Sequence, residues 1–231
     1  MKKKLAFLAI AACAAGACSV APAEAPPASS ATPPQAGPET GERPLFQASD
    51  LGLLESDDRD RWQHVDDILD NLKVSDGSVV ADIAAGGGWF SDRLARRVGP
   101  SGLVYAEEIQ PTMIQAMTRR FQVENLTNIR TVLGTPTDPR LPPGAIDAVF
   151  IVNSFHDIEQ PVPLLGNLRA SLSRRGLIGI VDFTPGGGGP GPDAPERVAP
   201  ETIIAAGIAA NLHLIAQYAV PPYEFLLVFG R

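Results

Sequence analysis

Short apolar runs recur along the chain, and between several of them apolar residues fall at helical spacing. The runs 79–83, 103–106, 129–133, 146–152, 177–183, 212–218 and 225–229 are rich in Val, Ile, Leu or Phe and bounded by turn residues, which predicts strands. Before the first run, Trp62, Val65, Ile68, Leu69 and Leu72 give one apolar face and predict a helix over 58–72, after which Asp76-Gly77 turns the chain into the strand. Phe90, Leu94 and Val98 mark the inner face of a helix over 89–98, with Arg93, Arg96 and Arg97 falling on its solvated side. Pro111 starts another helix, where its missing N–H costs nothing, and Met113, Ile114, Met117 and Phe121 form its apolar side. A further helix runs 163–173 and closes on Arg174-Arg175-Gly176.

Strands that alternate with helices predict an α/β fold whose sheet is mostly parallel, with right-handed crossovers and a ligand crevice at the carboxyl ends of the strands. The first strand breaks at that edge into Asp82-Ile-Ala-Ala-Gly86-Gly87-Gly88. Glycines suit a loop that turns tightly and lets backbone approach a ligand. Laid on Gly86 and Gly88, the dinucleotide fingerprint meets Ser91 where its third glycine belongs, which weakens a nicotinamide-dinucleotide reading, and no Lys-Ser/Thr pair follows for a P-loop.

The order strand, acid, glycine turn, helix resembles the first motif of class I S-adenosylmethionine (SAM) dependent methyltransferases, and the element order from about residue 58 to Arg231 follows that family's pattern. The resemblance implies a doubly wound, mostly parallel seven-stranded sheet with helices on both faces and an antiparallel last strand. It also implies a cofactor-binding set. Asp82, Ala84 and Gly86 to Gly88 would hold the methionine part, with Ala84 standing where the family often has Gly. Glu108, which ends the second strand roughly 20 residues past the glycines, would bind the ribose. Glu107 takes that role if the register slips by one, and Ile109 follows in the same set. The family places an acid directly after the glycine that ends the third strand. Here that position is Thr135, so the adenine contact falls to Thr135 or to Asp138. The fourth strand carries Asp147 near its start and leads into Asn153-Ser-Phe-His156-Asp157, at the edge where an acceptor would sit. Asn153 and His156 are the candidate catalytic residues, His156 as a base or as a packing residue.

Residues 185–195, Pro-Gly-Gly-Gly-Gly-Pro-Gly-Pro-Asp-Ala-Pro, form a long loop at the same edge, either gating the site or passive. Trp62 either covers the crevice or packs in the core. The 231 residues hold 19 basic and 26 acidic side chains, with the basic ones scattered, so a nucleic-acid partner is not expected.

Residues 1–18 read as a signal peptide: Met1-Lys-Lys-Lys4, an apolar stretch too short to span a bilayer, then Ala15-Gly16-Ala17 before Cys18. That end resembles a bacterial lipobox, with Cys18 as the acylated residue and Cys13 as a second candidate. Residues 19–44, mostly Ala, Pro, Ser and Thr, suit a tether, and 45–231 form the methyltransferase-like domain. No cysteine follows Cys18, which leaves that domain neither a disulfide nor a thiolate metal site.

The expectation is therefore an exported, lipid-anchored SAM-dependent methyltransferase acting on a small molecule, with no metal. SAM is made in the cytoplasm, which keeps open a non-catalytic SAM- or nucleoside-binding module that retains the fold.

Overall fold

The computed structural model describes residues 55, 56 and 58–231. The expected leader, Cys13, Cys18 and the tether over 19–44 lie outside the described residues. The elements in chain order are α1 (Arg59–Trp62), α2 (Val65–Asn71), β1 (Val79–Ile83), α3 (Trp89–Val98), β2 (Leu103–Glu108), α4 (Pro111–Val123), β3 (Ile129–Leu133), β4 (Ile146–Val152), α5 (Pro161–Ser171), β5 (Leu172–Phe183), α6 (Pro200–Ala209), β6 (His213–Val220) and β7 (Glu224–Gly230). The strands form one seven-stranded sheet in the order β3-β2-β1-β4-β5-β7-β6, parallel through β5, with β7 antiparallel to both β5 and β6. This is the sheet that the resemblance implies. The order reverses at β1, so the crevice at the carboxyl ends of β1 and β4 is the topological switch point.

Period-two alternation along buried strands explains why helices cover both faces. Val80, Val104, Phe150, Val181 and Leu226 face Ile68 and Leu69 of α2 and Phe90, Leu94 and Val98 of α3. Ile83, Val149, Ile151, Ile180 and Leu227 face Leu164, Leu165 and Leu168 of α5 and Ile203 of α6.

Four differences from the sequence expectation have local causes. The helix expected over 58–72 is two helices, because the chain breaks at Gln63 and His64 takes a left-handed conformation. The helix expected over 163–173 is α5, two residues earlier. Leu172 is buried and pairs with Ile146, so the segment holding Arg174 and Arg175 continues β5 past a register shift instead of closing a helix. α6 has no counterpart among the expected elements, since PETIIAAGIA is apolar nearly all round and carries no helical stripe. The three arginines of α3 are ties more than a solvated face: Arg93 pairs with Asp60 and lies 3.4 Å from the Trp89 ring centroid, Arg96 pairs with Asp92 and Glu124, and Arg97 pairs with Asp66 and Asp70.

Candidate functional site

The glycine loop owes its shape to left-handed backbone at Ala84 (φ 55°), Gly86 (φ 56°) and Gly88 (φ 82°). Only glycine takes that region without strain, so Ala84 is the costly member of the three. Gly86 and Gly88 are glycines for different reasons. A Cβ on Gly88 would lie 2.5 Å from the Phe121 ring of α4, whereas one on Gly86 would meet nothing within 4 Å. Gly88 therefore serves helix packing, and Gly86 presents open backbone at the crevice.

Three carboxyl groups surround this loop. Glu108 shares a sheet face with Asp82, and its Oε2 accepts the Gly86 N–H at 3.1 Å while Oε1 accepts the N–H groups of Ile109 (2.7 Å) and Gln110 (3.0 Å). Glu107 points to the opposite face with Ile83. Its Oε2 lies 3.4 Å from the Ala84 N–H, and its Oε1 is buried without a hydrogen-bond partner and fills the space that a Cβ on Gly134 would need. Burial pushes Glu107 up to about 8, reinforced by the charges of Glu108, Asp82 and Asp138. Asp82 is buried and accepts the Ser91 hydroxyl at 2.6 Å. Its burial raises it to about 7 against the opposing pull of Ser91 and Arg59. Ser91, which spoils the dinucleotide fingerprint, is thus the residue that anchors the acid of β1 to α3.

The turn after β3 closes on itself. Thr135 N–H donates to the Asp138 carbonyl at 2.9 Å, the Asp138 N–H donates to Thr135 Oγ1 at 2.9 Å, and Asp138 Oδ1 accepts the Arg140 N–H at 2.8 Å. Asp147 lies away from the crevice, accepting the Val79 N–H at 3.0 Å and the Ser173 hydroxyl at 3.1 Å.

At the end of β4 the chain turns sharply through Asn153 (φ 56°), whose N–H donates to the Val181 carbonyl. His156 sits against a partner that local sequence does not reveal. Its Nδ1 lies 3.1 Å from Oδ1 of the buried Asp182 on β5, its backbone N–H donates to Oδ2 of the same group, and its Nε2 lies 3.6 Å from Asp157. Asn153 Nδ2 donates to Gln63 Oε1 at 3.3 Å. The same Gln63 oxygen accepts Arg59 Nε–H at 2.9 Å, and Gln63 Nε2 donates to Glu224 Oε2 at 2.7 Å. Arg59 stacks 4.1 Å from the Trp89 ring centroid, directly after the glycine loop. Burial pulls Arg59 down to about 10, which leaves it charged at neutral pH. Burial also raises Glu224 to about 8, with Asn153, Arg59 and Gln63 acting against it.

Arg59, Gln63, Ser91, Asp182 and Glu224 carry no local motif, and Gln63 and Glu224 meet across 161 residues. The one readable hint is a charged residue inside an apolar strand, as at Asp182.

The loop over 185–195 is packed over this edge. The Arg197 guanidinium donates to the carbonyls of Thr184, Gly187, Gly188, Pro190 and Pro192. Gly189 packs on the Tyr223 ring, and a Cβ on Gly191 would lie 2.5 Å from the Phe183 ring. Trp62, 8 % exposed, lies with its ring centroid 6.1 Å from Phe183 and 6.2 Å from Tyr223.

Residues 80–176 match the family model described as a methyltransferase domain. The chain is 28% identical over 95 residues to protein-L-isoaspartate O-methyltransferase of Methanothrix thermoacetophila, covering 41% of this chain and 45% of the relative. It is 26% identical over 91 residues to demethylmenaquinone methyltransferase of a Geobacillus species, covering 39% and 38%. The chain thus spans less than half the length of these curated relatives. Among solved structures, a SAM dependent methyltransferase from Aquifex aeolicus superposes with a TM-score of 0.76 at 21% identity, over 80% of this chain and 98% of that one. This last likeness establishes the fold.

Proposed function

We propose that this protein is a SAM-dependent methyltransferase acting on a small molecule. The observation that carries the reading is the loop from Asp82 to Gly88, its open Gly86 backbone tied to Glu108, within the segment that matches a methyltransferase domain. The donor set fits SAM. A sulfonium and an ammonium favour the Glu108 carboxylate, and favour ionisation of the buried acids Asp82 and Glu107 beside it, where a dinucleotide pyrophosphate would be repelled.

In this reading Asp82, Ala84 and Gly86 to Gly88 hold the methionine part, and Glu108, already oriented by three backbone N–H groups, receives the ribose hydroxyls. Ile109, Asn153, Thr135 and Asp138 border the adenosine. When bound, SAM supplies an electrophilic methyl group for in-line displacement. The protein's part is to align the acceptor and exclude water, the work of Trp62 and of the roof held by Arg197. Asn153 and His156 face the acceptor, and His156, with Asp182 on Nδ1, is placed to take a proton.

The domain acts outside the cytoplasm, exported and acylated at Cys18. Mass spectrometry of the mature N-terminus checks that step: a lipid on Cys18 supports it, and a retained Met1 rejects it. Calorimetric titration with SAM, S-adenosylhomocysteine and NAD tests the cofactor. Binding of the first two without the third is expected, and NAD binding alone would overturn the assignment.

A further inference from the structure

The edge strands of a sheet leave a row of backbone N–H and C=O groups unpaired, and monomeric proteins guard them with charge, proline or a cover. β3 and β6 are the two edges of this sheet. β3 is five residues long and carries the exposed Arg130, but β6 is eight residues long and carries no Asp, Glu, Lys or Arg. The uncharged stretch is wider than the strand. Residues 202–223 take in most of α6, all of β6 and the turn after it without one such residue, and no other stretch of the described residues is as long without one. Seven large hydrophobic side chains are exposed among the described residues, and four of them, Ile208, Leu214, Ile215 and Tyr218, fall in this one stretch.

These side chains put apolar surface on both faces of the strand. Leu214, opposite Phe229, stands on the face that α6 covers, and Tyr218, opposite Leu226, stands on the face of α2 and α3. Ile215, 58 % exposed at the register shift in β6, reaches over Gly230. A bilayer is a poor cover for such a strip, because lipid leaves the backbone groups of an open strand unsatisfied. A second strand satisfies them, and a second copy of this chain suits the charge as well. At a net charge of -7 two copies repel, yet along this strip they can touch with no like charges opposite each other. We propose that β6 pairs antiparallel with β6 of a second copy about a two-fold axis, which joins the two sheets into one.

With the axis between Ala216 and Gln217, Ile215 of one copy stands opposite Tyr218 of the other, a β-branched and aromatic cross-strand pair made twice, because one patch serves both copies. β6 runs parallel to β5, since both are antiparallel to β7. The axis therefore sends the two crevices to opposite edges of the joined sheet, and neither copy covers the other's site. A standard interface takes about 800 Å² and 20 to 30 residues from each side, and the strip, with just over half of its residues exposed, offers about half of that. The dimer is accordingly weak, with a dissociation constant of about 1 to 100 µM. This pairing is independent of the chemistry in the crevice.

The test uses the full chain carrying Cys13→Ser and Cys18→Ser, which removes the expected acylation residue and both native thiols. Sedimentation over about 1 to 200 µM should show a monomer–dimer equilibrium. Ile215→Asp together with Tyr218→Asp sets like charges opposite each other and should weaken association at least about tenfold with an unchanged far-ultraviolet circular dichroism spectrum. In the same background Gln217→Cys, beside the axis, should oxidise to a self-linked dimer, and Arg130→Cys on the β3 edge should not. Should the double variant fail to fold, this disulfide comparison decides. A monomer throughout the concentration range, equally tight association of a folded double variant, or linking of Arg130→Cys as readily as Gln217→Cys would overturn the pairing. So would a monomer that binds phosphatidylcholine vesicles through Ile215 and Tyr218, which would assign the strip to a bilayer.

Discussion

Ala84 and Gly86 share almost the same left-handed φ, yet only one of them is glycine. An L residue pays about 1 kcal/mol or more there, and part of that returns as unfolded-state entropy when glycine replaces it. Ala84→Gly should therefore raise stability by about 0.5 kcal/mol, read as an increase in the denaturation midpoint at unchanged slope. Gly88 behaves differently, because its Cβ would enter the Phe121 ring. Gly88→Val should unfold the α3–α4 packing, whereas Gly86→Val should weaken cofactor binding with a smaller loss of stability; circular dichroism melts beside calorimetry separate the two. Glu108→Ala should cost about 1 to 3 kcal/mol in S-adenosylhomocysteine binding. A larger loss for Glu107→Ala would exchange the two roles and put the ribose on the acid that faces Gly134.

The segment from Thr184 to Arg197 is the element whose character changes most between sequence and structure. Its composition suits a disordered stretch, but the Arg197 guanidinium gathers five of its carbonyl oxygens and lies 5.2 Å from the Phe183 ring centroid. Backbone that would otherwise be solvated is thus folded onto Phe183 and Tyr223, the rings that pack against Trp62. Arg197→Ala should release the segment and make limited proteolysis between Gly186 and Gly191 about five- to thirtyfold faster, for a loss of about 1 to 2 kcal/mol of local stability. The core melting transition should move little, since the contact network of the sheet is untouched. Equal cleavage rates in the variant and the wild type would show that the glycines alone hold this conformation.

Across the whole molecule, Asp82, Glu107 and Glu224 all have folded-state pKa values raised by burial, to about 7, 8 and 8. A raised carboxyl pKa means that the folded state binds more protons than the unfolded one between the ordinary value and the raised one. Stability should therefore fall as pH rises from about 4 toward 8, by up to about 1.4 kcal/mol per pH unit for each proton so held. Thermal melts between pH 5 and 8.5 should show this decline, and Glu224→Gln should make it shallower. Ionising the same acids favours a cation over a neutral ligand. The affinity of SAM relative to S-adenosylhomocysteine should increase from pH 6 to pH 8.5, and a constant ratio would mean that these carboxyls do not sense the sulfonium.

The alternation of apolar runs with helical stripes was enough to determine the class of fold, and the break at Asp82 to Gly88 marked where the crevice lies. Both are local, since side-chain period and glycine backbone freedom act over a few residues. The α1–α2 break at His64, the start of β5 at Leu172 and the whole of α6 were hidden, because tertiary burial outweighed weak local preference at the first two and α6 carries no stripe. The candidate site divides in the same way. Glu108 and the glycines follow one another closely in the chain and were legible. Asp182 behind His156, and Gln63 between Asn153 and Glu224, were decided only when the ends of β4 and β5 and the start of β7 came to one edge of the sheet. A hydrogen bond between residues 161 positions apart leaves no periodicity to read.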